Sequence, residues 1–448
     1  MKAEEIRTAL PRWRREFHAH AEEGWTEFWT TARVAGILQS LRLAPRVGAE
    51  VLDRAARMGL PAPQRLAAAQ RRARREGADE SLLARMHGCT GVVADVGPAT
   101  APVALALRFD LDALPLVESH CPEHAPAAGG YASLHAGQCH ACGHDAHTAL
   151  GLGLAARLQS GPPLRRRIRL IFQPAEEGVR GAAALLAQVR DVPRFLALHV
   201  GLGLPSGELT TGAMSLMAST KFDAVFSGRA AHAAKAPHLG RDALKGAAAA
   251  LLGLHALPRC GSGENRVHVG ELRGGGARNV VADKAVLRGE TRAANGEMAE
   301  DLYARARDVL EGAAAMYGLD CRINVVGSTP DADSDADFAA ELAAIARELR
   351  TEQGKALFRQ VRESAVMGAS DDAAVFMRAV QASGGKAAYA ILGCTLAAGH
   401  HAPRFDLDED CLWPGLLWLE AVCRRLATAR GQAAPAMPRP LSGIPHMA

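Results

Sequence analysis

The stretch 140–147 concentrates more chemically reactive side chains than any other short part of the chain. It reads His-Ala-Cys-Gly-His-Asp-Ala-His, so thiol, imidazole and carboxylate groups lie close together. Such a mixture binds divalent metals, with Cys142 and His144 as candidate ligands and Asp145 able to orient an imidazole. Two other interpretations stay open on these residues alone. The stretch could be a solvated loop, or Cys139 and Cys142 could form half of a zinc ribbon or a redox pair.

A pair of carboxylates follows a predicted strand. Residues 167–173, Arg-Ile-Arg-Leu-Ile-Phe-Gln, alternate charge and bulk as a strand does, and Pro174 ends the pattern just before Glu176 and Glu177. Neighbouring side chains at a strand end point apart, so one glutamate can bind a metal while the other carries a proton. A solvated acidic turn is the alternative interpretation of this pair.

Three further histidines lie at or after the ends of apolar strands. His199 ends the run Phe-Leu-Ala-Leu-His, a position where a lone histidine is more often a core residue. His400 and His401 follow the predicted strand 390–393 in a loop that contains glycine and proline. Open α/β sheets place their ligands in loops of this kind, which favours a functional role for one of these histidines.

In these segments and several others the chain resembles the M20 metallopeptidases, and within them the amidohydrolase branch. The matching segments occur in the family's order from about residue 14 to residue 426, so the resemblance covers nearly the whole chain. The segments are 107–115, 140–147, 172–178, 198–199, 228–233 and 401–405. An additional segment at 51–86 and the Gly-His-His phrase at 399–401 resemble a subgroup whose substrate is an aminobenzoyl-glutamate.

The resemblance implies a site for two divalent metal ions, zinc or manganese. Its ligands would be Cys142, His144, Glu177, His199 and His401. His401 fits this role better than His400, because the family's ligand precedes a small residue and a proline, as in His-Ala-Pro here. Glu176 would act as general base and acid, and Asp112 would hold a ligand imidazole in the correct tautomer.

The same resemblance assigns roles outside the metal cluster. His232 would reach the tetrahedral oxyanion from a partner subunit, which would make dimerisation part of catalysis; the alternative is an exposed histidine at a strand end. Asn279, just after the glycine run 274–276, would contact the carbonyl or carboxylate of the substrate. Arg292 would clamp a substrate carboxylate, or else be a surface residue of a strand.

The activity that the resemblance implies is metal-dependent hydrolysis of the amide bond in N-acyl amino acids. N-(4-aminobenzoyl)-L-glutamate is the first expected substrate, and other N-acyl amino acids or auxin conjugates are the alternative within the same chemistry. A non-catalytic subunit of a heteromeric hydrolase is the alternative of another class. We expect a homodimer, and the other possible partner is a homologous second subunit.

Length and pattern predict an α/β architecture. A chain of 448 residues predicts two domains, and 48% hydrophobic residues can bury both cores. Alternating strands and helices predict a mostly parallel sheet with helices on both faces, in a metal-binding catalytic domain over 1–213 and 328–448. A small α+β domain for the lid and dimerisation interrupts it at 214–327. A loose tail is expected from about residue 429 to residue 448.

Charge and cysteine content exclude some classes of partner. The net charge of +4 is small and dispersed, which argues against a nucleic-acid partner. Neither an apolar leader nor a run of about 18 apolar residues occurs, so we expect no signal peptide and no membrane span. Nine cysteines, an odd number, do not suggest a secreted disulfide framework. We therefore expect a cytoplasmic protein in which Cys142 is available as a thiolate.

Overall fold

The computed structural model describes residues 1–259 and 263–428. The helices are α1 (Ala3–Ala19), α2 (Phe28–Ser40), α3 (Pro63–Arg75), α4 (Glu80–Met86), α5 (Ala125–Ala128), α6 (His144–Ser160), α7 (Ala243–His255), α8 (Gly296–Met316), α9 (Ala336–Glu348), α10 (Ala373–Ala382) and α11 (Leu412–Thr428). The strands are β1 (Arg46–Val47), β2 (Val92–Val96), β3 (Val103–Asp110), β4 (Arg167–Gln173), β5 (Arg194–Val200), β6 (Glu208–Thr210), β7 (Ala213–Met214), β8 (Ala218–Ser227), β9 (Asn265–Gly274), β10 (Lys284–Ala293), β11 (Asp320–Thr329), β12 (Gln360–Arg362), β13 (Ala365–Val366) and β14 (Lys386–Leu392). The expected tail at 429–448 lies outside the described residues.

The larger sheet has eight strands in the order β1-β2-β4-β3-β5-β14-β6-β12. Its four central strands, β4, β3, β5 and β14, are parallel. On one side β2 pairs antiparallel with β4 and with β1, and on the other β6 pairs antiparallel with β14 and parallel with β12. The central strands are buried along almost their whole length, as expected for parallel strands covered on both faces. The predicted α/β fold with a mostly parallel sheet is therefore confirmed at its centre.

Helix α6 begins at the candidate ligand His144 and packs against this sheet. All but three of its residues are buried, because α1 and α11 cover the side that faces away from the strands. Gly151 permits the close approach of α6 to the sheet, since a Cβ there would lie 2.6 Å from a ring atom of Phe172. A second apolar core lies on the other face of the sheet, where α10 packs against β5 and β14. Helices thus cover both faces, as predicted.

The parallel arrangement brings distant parts of the chain to one edge. Strands β3, β4, β5 and β14 all end there, at Asp110, Gln173, Val200 and Leu392. Because these strands are parallel, the loops that follow them meet at the same edge of the sheet. Three of the expected functional segments lie in those loops, and His199 occupies the next-to-last position of β5.

A separate sheet of four antiparallel strands, in the order β11-β8-β10-β9, has its own apolar core under α7 and α8. Alternate residues of β8, including Phe222, Ala224 and Phe226, are buried against these helices. The strands of this sheet lie within 218–329, close to the limits of 214 and 327 expected for the lid. The domain limits themselves stay a prediction. No described helix is both long and apolar enough to cross a membrane.

Candidate metal centre

Three sulfur and nitrogen ligands meet where α6 begins. The Sγ of Cys142 lies 3.4 Å from the Nε2 of His199, and the ligand atoms of these two residues and His144 all lie within 4.8 Å of one another. Cys139 belongs to a different buried group, with His18 and Glu118. The two cysteines are thus free thiols that group with different partners, which does not favour a ribbon or a redox pair.

Main-chain carbonyls set the tautomers of two of these histidines. The Nδ1 of His144 lies 2.8 Å from the carbonyl oxygen of Asp112, and the Nδ1 of His199 lies 2.9 Å from that of Val200. Because a carbonyl only accepts, each Nδ1 carries a proton, and in the neutral ring the lone pair is then on Nε2. This is the form in which an imidazole binds a metal through Nε2.

Two buried acceptor atoms of this cluster have no hydrogen-bond partner within the described residues. They are the Nε2 of His144 and the Oε1 of Glu177. The nearest charged atoms to the His144 Nε2 are carboxylate oxygens, at 3.7 Å in Asp110 and 3.9 Å in Glu176. Buried acceptors left unpaired are costly, and a divalent cation would satisfy both of these at once. The residues present therefore fit a metal site.

The Glu176–Glu177 turn is held by Asp112. The two carboxylate oxygens of Asp112 accept hydrogen bonds from the main-chain N–H groups of Glu176 and Glu177, each at 2.9 Å. The sequence interpretation instead placed this carboxylate on a ligand imidazole. In the structure the carboxylate lies 3.5 Å from the Nδ1 of His144, and it is the Asp112 main-chain oxygen that bonds this nitrogen. Asp112 thus positions an imidazole and both glutamates through different atoms.

The same turn has an unusual backbone. Ala175 and Val179, which flank it, have φ of 54° and 53°, a region that residues other than glycine rarely adopt. Each such residue costs on the order of 1–3 kcal/mol and persists only where its surroundings hold it. Buried Glu27 helps to hold the turn, since it accepts from the Ala175 N–H at 2.8 Å. Sequence reasoning missed Glu27, because nothing in its neighbourhood along the chain indicates a contact with residue 175.

The structure separates the two neighbouring histidines. The Nε2 of His400 donates to the carbonyl of Val200 at 3.2 Å, and its ring packs 5.3 Å from that of Phe405. The Nε2 of His401 instead lies 3.5 Å from the Oε1 of Glu177, within a group that also contains Cys142. Of the two, His401 is therefore the one that joins Cys142 and Glu177 in a candidate ligand group.

Several acidic groups of the site resist ionisation. Burial raises the pKa of Glu176 well above its usual value, and the charges of Asp371 and Glu177 raise it further. Burial also raises the pKa of Glu177 to about 7, and it raises the pKa of the Cys142 thiol well above its usual range. Several buried acidic groups that resist ionisation together are typical of a place where a cation binds.

Comparisons with known proteins agree with this geometry. The profile of Peptidase family M20/M25/M40 matches residues 106–425. The chain belongs to the M20 family.

Two curated relatives of this M20 protein match over most of their length. The chain is 42% identical over 417 residues to the indole-3-acetyl-aspartic acid hydrolase of Enterobacter agglomerans, covering 91% of this chain and 94% of the relative. It is 41% identical over 407 residues to one of the subunits of the p-aminobenzoyl-glutamate hydrolase of Escherichia coli K12, covering 90% of this chain and 92% of the relative. The chain is accordingly a metal-dependent amidohydrolase of the M20 type.

Solved structures show the same fold. An aminobenzoyl-glutamate utilization protein from Klebsiella pneumoniae superposes with a TM-score of 0.79 at 37% identity, covering 95% of this chain and 98% of that chain. A dinuclear metal-binding M20 peptidase from Bacillus subtilis superposes with a TM-score of 0.63 at 25% identity, covering 96% of this chain and 100% of that chain.

Behind the candidate ligands of the M20 site lie further buried polar groups, and the sequence did not reveal their contacts. The Nδ1 of His147 lies 2.5 Å from a carboxylate oxygen of Asp110, and its Nε2 accepts from the Val200 N–H at 3.0 Å. Arg108 forms buried ion pairs with Asp110 and, at 3.1 Å, with Asp372. Burial raises the pKa of Asp372 to about 7. These groups come from four separate segments, so spacing along the chain carries no signal of their contact.

His232 and Asn279 lie together on the four-stranded domain. His232 is exposed, and its Nδ1 accepts from the N–H groups of Ala234 and Lys235 at 3.2 and 3.1 Å, which leaves its Nε2 to donate outward. The carbonyl oxygen of Asn279 accepts from Ala233 at 3.0 Å. Within the described part of the chain, no hydrogen bond or ion pair joins His232 or Asn279 to the metal cluster.

Arg292 has a companion cation that the sequence analysis missed. Arg292 bonds Glu290 at 2.9 Å, and Lys221 bonds the same carboxylate at 2.8 Å. Burial lowers the pKa of His401, and the charges of Lys221 and Arg292 lower it further. The two cations thus share the carboxylate of Glu290, and the charge of each acts on His401.

Proposed function

We propose that the protein hydrolyses the amide bond between an aromatic acyl group and an acidic amino acid. The first substrate is N-(4-aminobenzoyl)-L-glutamate, which would give 4-aminobenzoate and glutamate. The observation that supports this proposal is the set of candidate ligands around Glu176, a buried carboxyl with a raised pKa. The two curated relatives support the substrate class, since both are named for amides of an acidic amino acid.

Two divalent metal ions, zinc or manganese, complete the site in this proposal. Their ligands are Cys142, His144, Glu177, His199 and His401. The thiol and imidazoles suit zinc, and the carboxylate with imidazoles also suits manganese. Bound there, the two ions would polarise the amide carbonyl and lower the pKa of water toward about 7.

Glu176 supplies the proton transfers. Its Oε2 lies 3.9 Å from the His144 Nε2, so the carboxyl faces the same space as the ligand atoms. A carboxyl whose pKa is raised by burial can take a proton from the attacking water and give it to the leaving nitrogen. An amide needs that second transfer because an amine anion is a very poor leaving group. Replacing this carboxyl removes both steps and leaves every proposed ligand in place.

His232 completes the site from a second copy of the chain in our proposal. An exposed N–H donor on the four-stranded domain, with no hydrogen bond or ion pair to the cluster of its own chain among the described residues, suits a role across a dimer interface. Aimed at the oxygen on which charge develops, it would stabilise the transition state more than the substrate. Asn279, beside it, would contact the substrate carbonyl or carboxylate. A homologous second subunit is the other partner to test, since the name of the Escherichia coli relative describes one chain of a multi-chain hydrolase.

In this proposal the protein is cytoplasmic, and the reason is that its cysteines must stay reduced. A free Cys142 is needed as a ligand, and the described cysteines are free thiols. A reducing cytoplasm would keep them so.

The test is hydrolysis of N-(4-aminobenzoyl)-L-glutamate and of indole-3-acetyl-L-aspartate by the purified chain alone. The protein is stripped of metal and reloaded with zinc or manganese, beside Glu176→Gln. Activity that returns with metal and is absent in metal-loaded Glu176→Gln supports the proposal. Activity restricted to amides of neutral amino acids would refute the substrate class, and activity only after adding a second protein would point to the non-catalytic subunit.

A further inference from the structure

Lys221, Glu290 and Arg292 form a chain of ion pairs on the four-stranded sheet, and we call them the lid triad. Lys221 pairs directly with Glu290 across β8 and β10, and Arg292 lies two residues further along β10. The Glu290 carboxylate bonds the Lys221 Nζ at 2.8 Å and the Arg292 Nε and Nη2 at 2.9 and 3.2 Å. Their side chains lie on the face of the sheet opposite the buried Phe222, so they project away from α7 and α8.

The end of the four-stranded sheet that carries Lys221 contacts the turn that carries Glu177. Lys221 also pairs with Gly327 on β11, and a Cβ at Gly327 would lie 2.0 Å from the carbonyl oxygen of Gly178. The next residue, Ser328, donates its N–H to the carbonyl of Val179 at 2.8 Å. Two backbone contacts thus place the Lys221 end of β8 beside the residues that follow Glu177.

The triad has one more positive charge than its single carboxylate neutralises. Lys221 has about one quarter of its side chain exposed, and Glu290 is its hydrogen-bond partner among the described residues. An ammonium has three donors, so two remain for a ligand. A monocarboxylic amino acid needs a single cation, and Arg292 suffices for that. A second cation in the same place fits a ligand that carries a second negative charge.

We propose that Lys221 binds the side-chain carboxylate of the amino acid and so selects conjugates of glutamate and aspartate over those of neutral residues. The inference rests on the proposed amide hydrolysis and names the residue that sets its substrate class. Glu290 is a positioning residue, because it holds the long lysine side chain extended in the site before the substrate arrives. Lys221 acts on binding of the leaving amino acid and takes no part in the proton transfers.

A purely structural role makes a different prediction. If Lys221 only ties β8 to β10, its loss would lower stability and reduce activity on all substrates alike. Recognition instead predicts a loss confined to substrates with a second carboxylate. N-(4-aminobenzoyl)-L-glutamine is the matched probe, because it replaces that carboxylate with an amide of the same shape.

The experiment measures kcat and KM for the glutamate and glutamine conjugates with the metal-loaded full chain. The variants are Lys221→Met, Lys221→Gln as a second neutral form, Lys221→Arg, and Lys245→Met as a control on an exposed lysine of α7. For both neutral variants we expect kcat/KM on the glutamate conjugate to fall about 10- to 100-fold, mainly through KM, as for the loss of a charged hydrogen bond. Activity on the glutamine conjugate should change little, Lys221→Arg should retain the preference, and Lys245→Met should behave as wild type.

Two negative outcomes are distinguishable. If the wild type prefers the glutamate conjugate and the neutral Lys221 variants keep that preference, or lose both activities equally, the role of Lys221 is overturned and the proposed function stands. If the wild type hydrolyses no conjugate of an acidic amino acid, the proposed function fails and the inference fails with it. Melting temperatures of all variants separate these results from misfolding.

Discussion

The carboxylate of Asp112 accepts a hydrogen bond from the main-chain N–H of Glu176 at 2.9 Å. Its second oxygen accepts from the next N–H at the same distance, and the main-chain carbonyl of Asp112 fixes the His144 imidazole. One buried aspartate therefore links the loop after β3, the turn after β4 and the first turn of α6. The position of the proposed general base depends on this residue although Asp112 carries no proton in the proposed reaction.

Asp112→Asn should reduce kcat about 10- to 100-fold, with a smaller effect on folding. An asparagine has one side-chain acceptor, so it bonds only one of the two glutamate N–H groups and sets an amide N–H against the other. The measurement is steady-state kinetics with metal content determined on the same sample. Asp410→Asn, on an exposed aspartate, is the control. An Asp112→Asn enzyme as active as wild type would show that the turn holds its shape without this carboxylate.

Gly327→Ala should impair activity more than it impairs stability. The added Cβ would lie 2.0 Å from the Gly178 carbonyl, so the lid sheet or the Glu177 turn must move. Gly312→Ala in α8 is the matched control, since a Cβ there meets nothing within 4 Å. We expect at least a roughly tenfold loss of kcat/KM for Gly327→Ala, on the scale of other misplacements near a reacting group, and none for the control. Equal activities would mean that the contact with Gly178 has no part in shaping the site.

Acid stability should depend on Glu118. Burial alone would raise the pKa of this carboxyl, but hydrogen bonds from His18, Ser133 and His124 lower it from 4.5 to about 2. A lowered pKa in the folded state stabilises the protein above pH 4.5, and this contribution disappears as the pH falls from 4.5 to about 2.

Glu118→Gln should therefore melt roughly 2 °C or more below wild type at pH 7, and the difference should shrink toward about pH 3. Thermal unfolding followed by circular dichroism across this range checks the expectation. Glu352→Gln, on an exposed glutamate, should show no such trend. A difference that stays constant with pH would assign the effect to packing instead of charge.

A mixing experiment tests whether His232 acts across a dimer. His232→Ala and Glu176→Gln should each be inactive alone. If the two are dissociated and reassembled together, about half of the dimers are mixed and each contains one complete site, so activity should return to about one quarter of wild type. Recovery should depend on exchange of subunits, which native mass spectrometry can follow. No recovery in a sample that contains mixed dimers would place His232 in the site of its own chain, and activity of His232→Ala alone would place it outside any site.

Cys142→Ser should change which metal the site prefers. A hydroxyl is a poorer zinc ligand than a thiolate, so we expect zinc affinity to fall at least roughly tenfold while manganese affinity changes less. Competition with a chelator measures both constants, and Cys121→Ser is the control on a free cysteine in the loop before α5. Unchanged zinc binding in Cys142→Ser would remove Cys142 from the ligand set.

The sequence by itself determined the strands and the types of candidate ligands. Residues 167–173 were expected as a strand and form β4 with those limits, although six of the seven are buried because helices cover both faces of the sheet. The cysteine, histidine and glutamate motifs are short and local, so their spacing is visible without a structure. Family membership followed from these motifs, and the comparisons confirm it.

Only the tertiary structure decided which atoms meet. The choice between His400 and His401 depends on Val200 and Glu177, which lie far from both along the chain. The bonds of Asp112 to the glutamate turn, the support from Glu27, and the placement of Lys221 beside Gly178 likewise join separate segments. Hydrogen bonds and ion pairs depend on distances of a few ångström between such segments, and these distances are set by how the sheet and its helices pack. No local pattern in the chain records them.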